Sequence, residues 1–197
     1  TNPKNPINKF LYKLIFGSRI QEKIKGSKKK KRIKRGKKME LSTKSISMKE
    51  ILDAPLHVIG FEISDISLQK IFGYFLVAKK CCNPFEVLHG GVSALIAESL
   101  ASMGAHVASG FGRVAGVHLS IHHLKSANLG EIVYAEAKPL NVGKSIHVWE
   151  VNLWEKNSLN LGERILISSS RVTIKTNMPI PKNVKDAAVN IKKYAKL

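Results

Sequence analysis

A run of small and apolar residues over 92–109 constrains the fold of this 197-residue chain more than any other feature. The run is too long for a strand and contains no proline, so it is predicted to form a helix. Its apolar side chains lie all round the helix, a pattern typical of a buried helix and not of an amphipathic surface helix. Gly110 and Gly112 mark its end. The sequence therefore predicts one long helix in the core.

Period-two alternation of apolar and polar residues predicts strands on both sides of this helix. Residues 56–63 and 70–78 are predicted to form a pair of strands with a turn at 64–66. Four further strands are predicted at 113–124, 131–140, 145–156 and 163–176. An early buried helix followed by strands with short turns indicates an α+β domain, an antiparallel sheet wrapped around one long central helix.

The net charge of +19 lies mostly in residues 1–38, which hold 15 of the 33 lysines and arginines and one acidic residue, Glu22. A block of like charges cannot bury itself, so this segment is expected to be a disordered or non-native extension. A nuclear-localisation or nucleic-acid-binding segment and a transit peptide are the alternatives. We expect the folded domain to cover 39–180 and residues 181–197 to form an exposed, partly helical tail.

Several classes of protein are disfavoured by what the sequence lacks. Cys81 and Cys82 are adjacent and cannot build a disulfide framework, which indicates a reducing compartment. No stretch approaches the length of apolar residues that a membrane span needs, so a soluble protein without a membrane partner is predicted. His118 and His122 share one face of a strand while His123 points away, and no carboxylate flanks them. No metal site is therefore predicted.

Glu98 is the single carboxylate inside the predicted helix, where a buried charge is costly unless it is paired or neutralised. A neighbouring basic residue, or a position at the helix edge, would explain it without any function. However, His89, Gly90 and Gly91 stand at the helix start, where free amides and the positive end of the helix dipole favour an anion. Asn83 lies just before the helix. The set predicts a site for attack on a carbonyl, with donors for an oxyanion and a carboxylate nucleophile or base.

The stretch CNPFEVLHGGVSALIAES over 82–99 resembles the hotdog-fold acyl-CoA thioesterases. Within them it is most similar to the branch that hydrolyses 1,4-dihydroxy-2-naphthoyl-CoA in phylloquinone (vitamin K1) and menaquinone synthesis, which includes plant peroxisomal members. The similarity covers residues 50–180 and includes RVAGVHLSIHHLKSA, VGKSIHVWEV and ILISSSRVT. It implies a hotdog fold, thioester hydrolysis to the free acid and CoA without a cofactor, and a homodimer or homotetramer with active sites shared between subunits.

The resemblance also implies roles for individual residues. Glu98 would be the catalytic carboxylate, as nucleophile or general base, and the amide of Gly90 would hold the thioester oxygen. His89 would position or polarise the thioester, and Asn83 stands where a polar amide is expected. Ser102, one helical turn after Glu98, would hold the attacking water or orient the carboxylate. The alternative for Ser102 is a plain small residue in a tightly packed helix.

Substrate binding is implied at two further sets of residues. The phosphates of coenzyme A need cations and backbone donors, which implies contacts from Gly91, Gly116, His123, Lys125, Ser126, Gly143, Lys144 and Arg171. The two basic loops at 125–126 and 143–144 are expected to act together as a phosphate site. The aromatic acyl group is expected against an apolar wall of Phe85, Val87, Leu88 and Met103, for which core packing is the alternative.

The last three residues, Ala195, Lys196 and Leu197, have the small–basic–Leu form of a peroxisomal address read by an import receptor. They predict a peroxisomal protein. The competing functions are a thioesterase for another aromatic or medium-chain acyl-CoA, a non-catalytic acyl-CoA-binding hotdog protein, and a nucleic-acid partner acting through the lysine-rich segment. The aromatic residues of the body are dispersed and predict no stacking platform for nucleic acid.

Overall fold

The computed structural model describes residues 52–156, 163–184 and 188–197. In these residues the helices are α1 (Ala54–Ile59), α2 (Gly90–Ala108) and α3 (Val189–Tyr194), and the strands are β1 (Glu62–Ile66), β2 (Ile71–Leu76), β3 (Arg113–His123), β4 (Ile132–Val142), β5 (Ile146–Lys156) and β6 (Arg164–Met178). Short 3-10 turns lie at Lys79–Cys81 and Lys182–Val184. The predicted extension 1–38 and the predicted boundary at residue 39 lie outside the described residues.

The long central helix is confirmed as α2, two residues longer at its start than the apolar run suggests. The chain leaves it through Ser109 and Gly110, and Gly110 takes a left-handed φ of 72° that glycine adopts without strain. The helix rests directly on the sheet, because a Cβ at Gly104 would lie 2.5 Å from the Trp149 ring. The side of the helix that faces the sheet is fully buried. Glu98 lies on the opposite side, which is half-buried.

The sheet is confirmed as antiparallel, with six strands in the order β1-β2-β4-β5-β6-β3. Its inner face carries alternate residues of each strand, such as Trp149, Val151 and Leu153 on β5, and these pack under α2 to form the core. β3 pairs only with β6 among the described strands, so it forms one edge of the sheet. The strands predicted over 113–176 are confirmed to within two residues at each end.

The predicted strand over 56–63 is wrong for its first half, which belongs to α1. Asp53 caps this helix by accepting a hydrogen bond of 2.8 Å from the Leu56 amide, and Pro55 occupies its first turn. Gly60 ends it with a left-handed φ of 84°. The predicted turn at 64–66 is also wrong: these residues belong to β1, and the turn to β2 lies between Ser67 and Lys70.

The tail is partly helical as predicted, but it is not a free exposed segment. Ile191 on α3 is 6% exposed and joins the core. The Lys196 amide donates a hydrogen bond of 2.8 Å to the Ile66 carbonyl, beside an isolated parallel bridge to Ser67. The end of the described chain therefore packs against β1. None of the described helices is both long enough and apolar enough to cross a membrane.

Candidate active site

The start of α2 is shaped by His89, which is its N-cap residue. The His89 Nδ1 atom accepts a hydrogen bond of 2.9 Å from the Gly91 amide, so a neutral His89 ring carries its proton on Nε2. The loop before the helix is fixed by backbone bonds from the Leu88 amide to Ala127 and from the His89 amide to Cys81. The amides of Gly91, Val92 and Ser93 all donate to His89. The donors that the helix start offers to a ligand are therefore the Gly90 amide and the imidazole N–H.

Glu98 lies two turns further along α2 and is half-buried. Its Oε1 atom accepts a hydrogen bond of 3.1 Å from the Ser102 hydroxyl, one turn later on the same face of the helix. On its other side the carboxylate packs against Gly116 of β3, where a Cβ would lie 2.6 Å from Oε1. Ser102 is therefore a hydrogen-bond partner of Glu98, and Gly116 is its immediate neighbour on the sheet edge.

A cleft of about 410 Å³ opens beside the start of α2. It is lined by Asn83, Val87, Leu88, Gly90, Ser93, His123, Leu124, Lys125, Ser126, Ala127 and Ile167. The His123 ring stands close to Gly90, because a Cβ on Gly90 would lie 3.1 Å from His123 Nε2. Five of the predicted site residues outside the acyl wall, Asn83, Gly90, His123, Lys125 and Ser126, are brought together here, whereas Glu98 is not part of the lining.

Asn83 has a structural bond as well as a place in the cleft. Its Oδ1 atom accepts hydrogen bonds from the Phe85 amide at 2.9 Å and the Val87 amide at 3.5 Å, which closes the turn before the helix. With its oxygen engaged, the side-chain NH₂ group is the end of Asn83 that can donate to a ligand.

Gly90 and Glu98 do not converge on one carbonyl within a single chain. Eight residues of helix advance about 12 Å along its axis, whereas an oxyanion donor and a nucleophile must both reach the same reacting group at about 3 Å. The two halves of the predicted catalytic machinery are therefore both well formed, but separate.

The two basic loops are also separate within one chain, so their joint action as a phosphate site stays a prediction. Lys125 forms an ion pair with Glu155 at 2.6 Å, near the end of β5. Gly143 and Lys144 form the turn at the start of β5, about 30 Å away along the strand at 3.3 Å per residue. Arg171 lies between these ends on β6, 4.0 Å from Glu150.

The four residues predicted for the acyl wall have different environments. The Phe85 side chain is 86% exposed on the loop before α2, whereas Leu88 and Met103 are 8% and 7% exposed and belong to the core. Val87 is half-buried and lines the cleft. Within one chain they do not form a single wall, and their role stays a prediction.

The remaining reactive groups near the site have simple structural explanations. Cys81 and Cys82 are free thiols whose Sγ atoms donate to the carbonyls of Ile59 and Ala78. Burial raises the pKa of the Cys82 thiol, which keeps it protonated and unreactive at neutral pH. No group of three or more His, Cys, Asp or Glu side chains in the described part of the chain could hold a metal ion.

Sequence reasoning missed two relationships at the site. The family resemblance implied that Gly116 contacts coenzyme A. In the structure, the neighbour of Gly116 is the Glu98 carboxylate. A glycine inside an otherwise regular strand is a signal of close approach by another group. The ion-pair partner of Lys125, Glu155, was also not foreseen, and nothing in the local sequence indicates it.

A long central helix packed on a six-stranded antiparallel sheet, with Glu98 on the helix and the Gly90 amide at its start, is the arrangement of a hotdog-fold thioesterase. The sequence profile of the Thioesterase superfamily matches residues 85–160, and the chain belongs to this family of thioester hydrolases. It is 56% identical to 1,4-dihydroxy-2-naphthoyl-CoA thioesterase 2 of Arabidopsis thaliana over 144 residues, 73% of this chain and 92% of that protein.

Two further relatives agree with this placement. The chain is 34% identical to 1,4-dihydroxy-2-naphthoyl-CoA hydrolase of Listeria monocytogenes over 59% of this chain and 89% of that protein. A solved thioesterase structure from Haemophilus influenzae is 31% identical, with a TM-score of 0.53, over 61% of this chain and 80% of that chain.

Proposed function

We propose that this protein hydrolyses the thioester of 1,4-dihydroxy-2-naphthoyl-CoA to the free acid and coenzyme A in phylloquinone biosynthesis. The observation that carries the proposal is the 56% identity to the Arabidopsis thioesterase over 92% of its length. The described site adds the Glu98 carboxylate, the Gly90 amide and a cleft beside that amide, and attack on a thioester carbonyl needs such a carboxylate and such a donor.

In the proposed mechanism, Glu98 attacks the thioester carbonyl or activates a water molecule that does so. The Gly90 amide and the Nε2–H group of His89 donate to the oxygen on which negative charge develops. The Asn83 NH₂ group is a further donor from the cleft wall. Ser102 keeps Oε1 of Glu98 in one orientation, or passes its hydrogen bond to the attacking water. CoA-thiolate leaves as the tetrahedral intermediate collapses. If Glu98 is the nucleophile, water then hydrolyses the acyl–Glu98 anhydride, which releases the free acid and restores the carboxylate.

The separation of Gly90 from Glu98 supports a site shared between two copies of the chain. β3 carries Gly116, beside Glu98, near its start and His123, beside Gly90, at its end. If two β3 edges pair antiparallel about a two-fold axis, the start of one β3 faces the end of the other. Glu98 of one copy then approaches Gly90 of the second copy, and two equivalent sites form. A homodimer, or a homotetramer built from such dimers, is the proposed assembly.

The same pairing supports the proposed coenzyme A site. The Lys125–Ser126 loop of one copy and the Gly143–Lys144 turn of the second copy lie toward the same end of the paired strands, since these loops occupy opposite ends within one chain. Two basic loops from different copies can then hold the phosphates of one coenzyme A.

The test is hydrolysis of a panel of thioesters by the full chain: 1,4-dihydroxy-2-naphthoyl-CoA, benzoyl-CoA and a medium-chain acyl-CoA, with Glu98→Gln as the control. We expect a strong preference for the naphthoyl ester that is lost in the variant. Preference for another ester would retain the chemistry and reject the quinone substrate. Tight binding of acyl-CoA with no turnover would reject an enzyme in favour of a binding protein.

A single turnover in ¹⁸O water distinguishes an anhydride at Glu98 from direct attack by water.

We also propose that the protein acts in the peroxisome, through Ala195, Lys196 and Leu197 and an import receptor that reads them. The form of the tripeptide supports this location. The full chain carrying an N-terminal fluorescent protein should colocalise with a peroxisomal marker, and the matched protein without the last three residues should not. Colocalisation that survives this deletion would reject the tripeptide as the address.

A further inference from the structure

Gly116 on β3 is packed against the carboxylate of Glu98. A Cβ built on Gly116 would lie 2.6 Å from Glu98 Oε1, 3.4 Å from Cδ and 3.6 Å from Cγ. The φ angle of Gly116 lies outside the left-handed region, so the backbone here does not require glycine. What requires it is the space that the carboxylate occupies.

The oxygen that faces Gly116 is the one that Ser102 holds. Glu98 Oε1 accepts the 3.1 Å hydrogen bond from the Ser102 hydroxyl, and it is also the closest atom to the missing side chain at residue 116. The pairing of β3 with β6 shifts register between Gly116 and His118, which marks a β-bulge. A β-bulge changes the direction in which neighbouring side chains point, and bulges are common next to active sites.

We propose that Gly116 is a positioning residue that fixes where the Glu98 carboxylate stands. The proposal rests on the proposed function, in which Glu98 performs the attack or activates the water. Gly116 leaves open the volume that Oε1 occupies while it accepts the bond from Ser102. Any side chain at this position moves the carboxylate away from Ser102.

The predicted consequence of Gly116→Ala is a folded protein with a misplaced carboxylate. The group that must yield is the end of a flexible side chain, so the fold is retained. Oε1 would have to retreat by about 0.8 Å to reach an ordinary contact of 3.4 Å, which shifts the oxygen that Ser102 holds. Misplacement of a catalytic group by about 1 Å can cost about a hundredfold in rate. We expect kcat to fall by about this factor, while KM stays nearly constant because the added methyl group meets the carboxylate that acts in the chemical step.

Gly112→Ala is the matched control. It adds the same methyl group one residue before β3, where the nearest atom is Oδ1 of Asn177, 3.3 Å away, and not the carboxylate. Its kcat and KM should equal those of the unchanged protein. A loss of kcat in Gly112→Ala equal to that in Gly116→Ala would reject the proposal, because the effect would then come from adding a methyl group anywhere near the strand.

The deciding measurement is a double-mutant cycle with Glu98→Asp. Aspartate ends one methylene earlier, so its carboxylate starts where Cγ of Glu98 stands, 3.6 Å from the added methyl group. Gly116→Ala should therefore cost far less in the Glu98→Asp background than the hundredfold expected with glutamate. Equal costs in the two backgrounds, or a Gly116→Ala effect on KM instead of kcat, would overturn the proposal.

The two proposals fail in different ways. If the unchanged protein hydrolyses none of the thioesters, the proposed function is wrong. If it does hydrolyse them but Glu98→Gln retains activity, the catalytic role of Glu98 is wrong, and the role of Gly116 falls with it. If Glu98→Gln is inactive while Gly116→Ala keeps its kcat, the carboxylate acts but Gly116 does not position it.

Discussion

Lys196, near the end of the described chain, is anchored to Asp65 on β1, with its Nζ atom 2.7 Å from Asp65 Oδ1. The Lys196 amide also bonds to the Ile66 carbonyl. The hydrogen bond from Lys196 lowers the pKa of the Asp65 carboxyl, which burial opposes. A residue of the proposed peroxisomal address is thus part of the folded body.

Asp65→Asn is expected to loosen the tail. The Lys196 side chain is 73% exposed, so the ion pair is screened and its loss should lower the global stability by less than about 1 kcal/mol. The effect should be confined to the residues around Lys196, because the core contacts of Ile191 on α3 are unchanged. We expect faster hydrogen exchange at the Lys196 amide, measured by NMR or mass spectrometry.

The control for this measurement is Lys70→Ala, which removes the longer 3.7 Å contact to Asp65 and should leave the Lys196 amide protected. The pH dependence gives a second check. Because the folded pKa of Asp65 is lowered, its contribution is complete above the unfolded pKa of about 3.9 and is lost as pH falls through the folded value. Protection that does not change as the pH falls from neutral through the folded pKa of Asp65 would contradict the role of the ion pair.

Ser102→Ala is expected to reduce kcat by about tenfold, the cost of removing a hydrogen bond of about 1.5 kcal/mol to a charged group. The Ser102 hydroxyl donates to Oε1 of Glu98 at 3.1 Å. Ser99→Ala is a matched substitution on the same helix, at a buried position, and should leave kcat unchanged. If Ser102→Ala has the same kcat as the unchanged protein, the hydroxyl has no part in catalysis, and Ser102 is only a small residue in a packed helix.

Most of the fold was predictable because the spacing of apolar residues along the chain differs clearly between its helix and its strands. The 92–109 run is uninterrupted, and the inward residues of β5, such as Trp149 and Val151, alternate strictly. Residues 56–59 were misassigned because six residues are too few to separate the two periods. The Asp53 cap, Pro55 and Gly60 were the better guide there, since they act on the backbone directly.

The site was predictable only where its residues are neighbours in sequence. His89, Gly90 and Glu98 lie on one helix, so their order along it follows from the sequence. The contact of Glu98 with Gly116 joins a helix to an edge strand, and its distance depends on how α2 crosses the sheet. The distance between Lys125 and Lys144 depends on the order of the strands in the sheet. The alternation of apolar and polar residues along a strand carries no information about that order. Whether Gly90 and Glu98 meet depends on a second copy of the chain.

His147 should make the stability of the protein fall on mild acidification. Its imidazole is 2% exposed beneath the sheet, and burial lowers its pKa. As pH falls below the unfolded pKa of about 6.5, the unfolded chain takes up a proton that the folded chain does not, so the folded state loses stability. This loss grows until the pH reaches the folded pKa and is constant below it. The unfolding temperature should therefore drop between pH 7.5 and 5.5.

The variant His147→Gln removes this titration, so its unfolding temperature should depend less on pH over the same interval, even if the variant is less stable throughout. His118→Gln, at an exposed position of β3, is the control and should keep the pH dependence of the unchanged protein. If the unfolding temperature changes with pH equally in His147→Gln and His118→Gln, His147 is not the cause of the pH dependence.

A site shared between two copies predicts that two inactive variants restore activity when mixed. Glu98→Gln removes the carboxylate, and His89→Asn removes the imidazole while keeping a residue suited to the N-cap of α2. In a mixed dimer, one site combines both substitutions and the other has neither. About half of randomly mixed dimers are heterodimers with one intact site, so co-refolded chains should reach about a quarter of the unchanged activity.

The control mixes Glu98→Gln with Ser102→Ala, two substitutions on the same side of the proposed shared site. The mixed dimer then has one site carrying only Glu98→Gln and another carrying only Ser102→Ala, so no fully intact site forms. Activity of this mixture should equal the average of its two parents. If the Glu98→Gln and His89→Asn mixture also gives only the average of its parents, both residues act within one chain, and the separation of Gly90 from Glu98 along α2 would need another explanation.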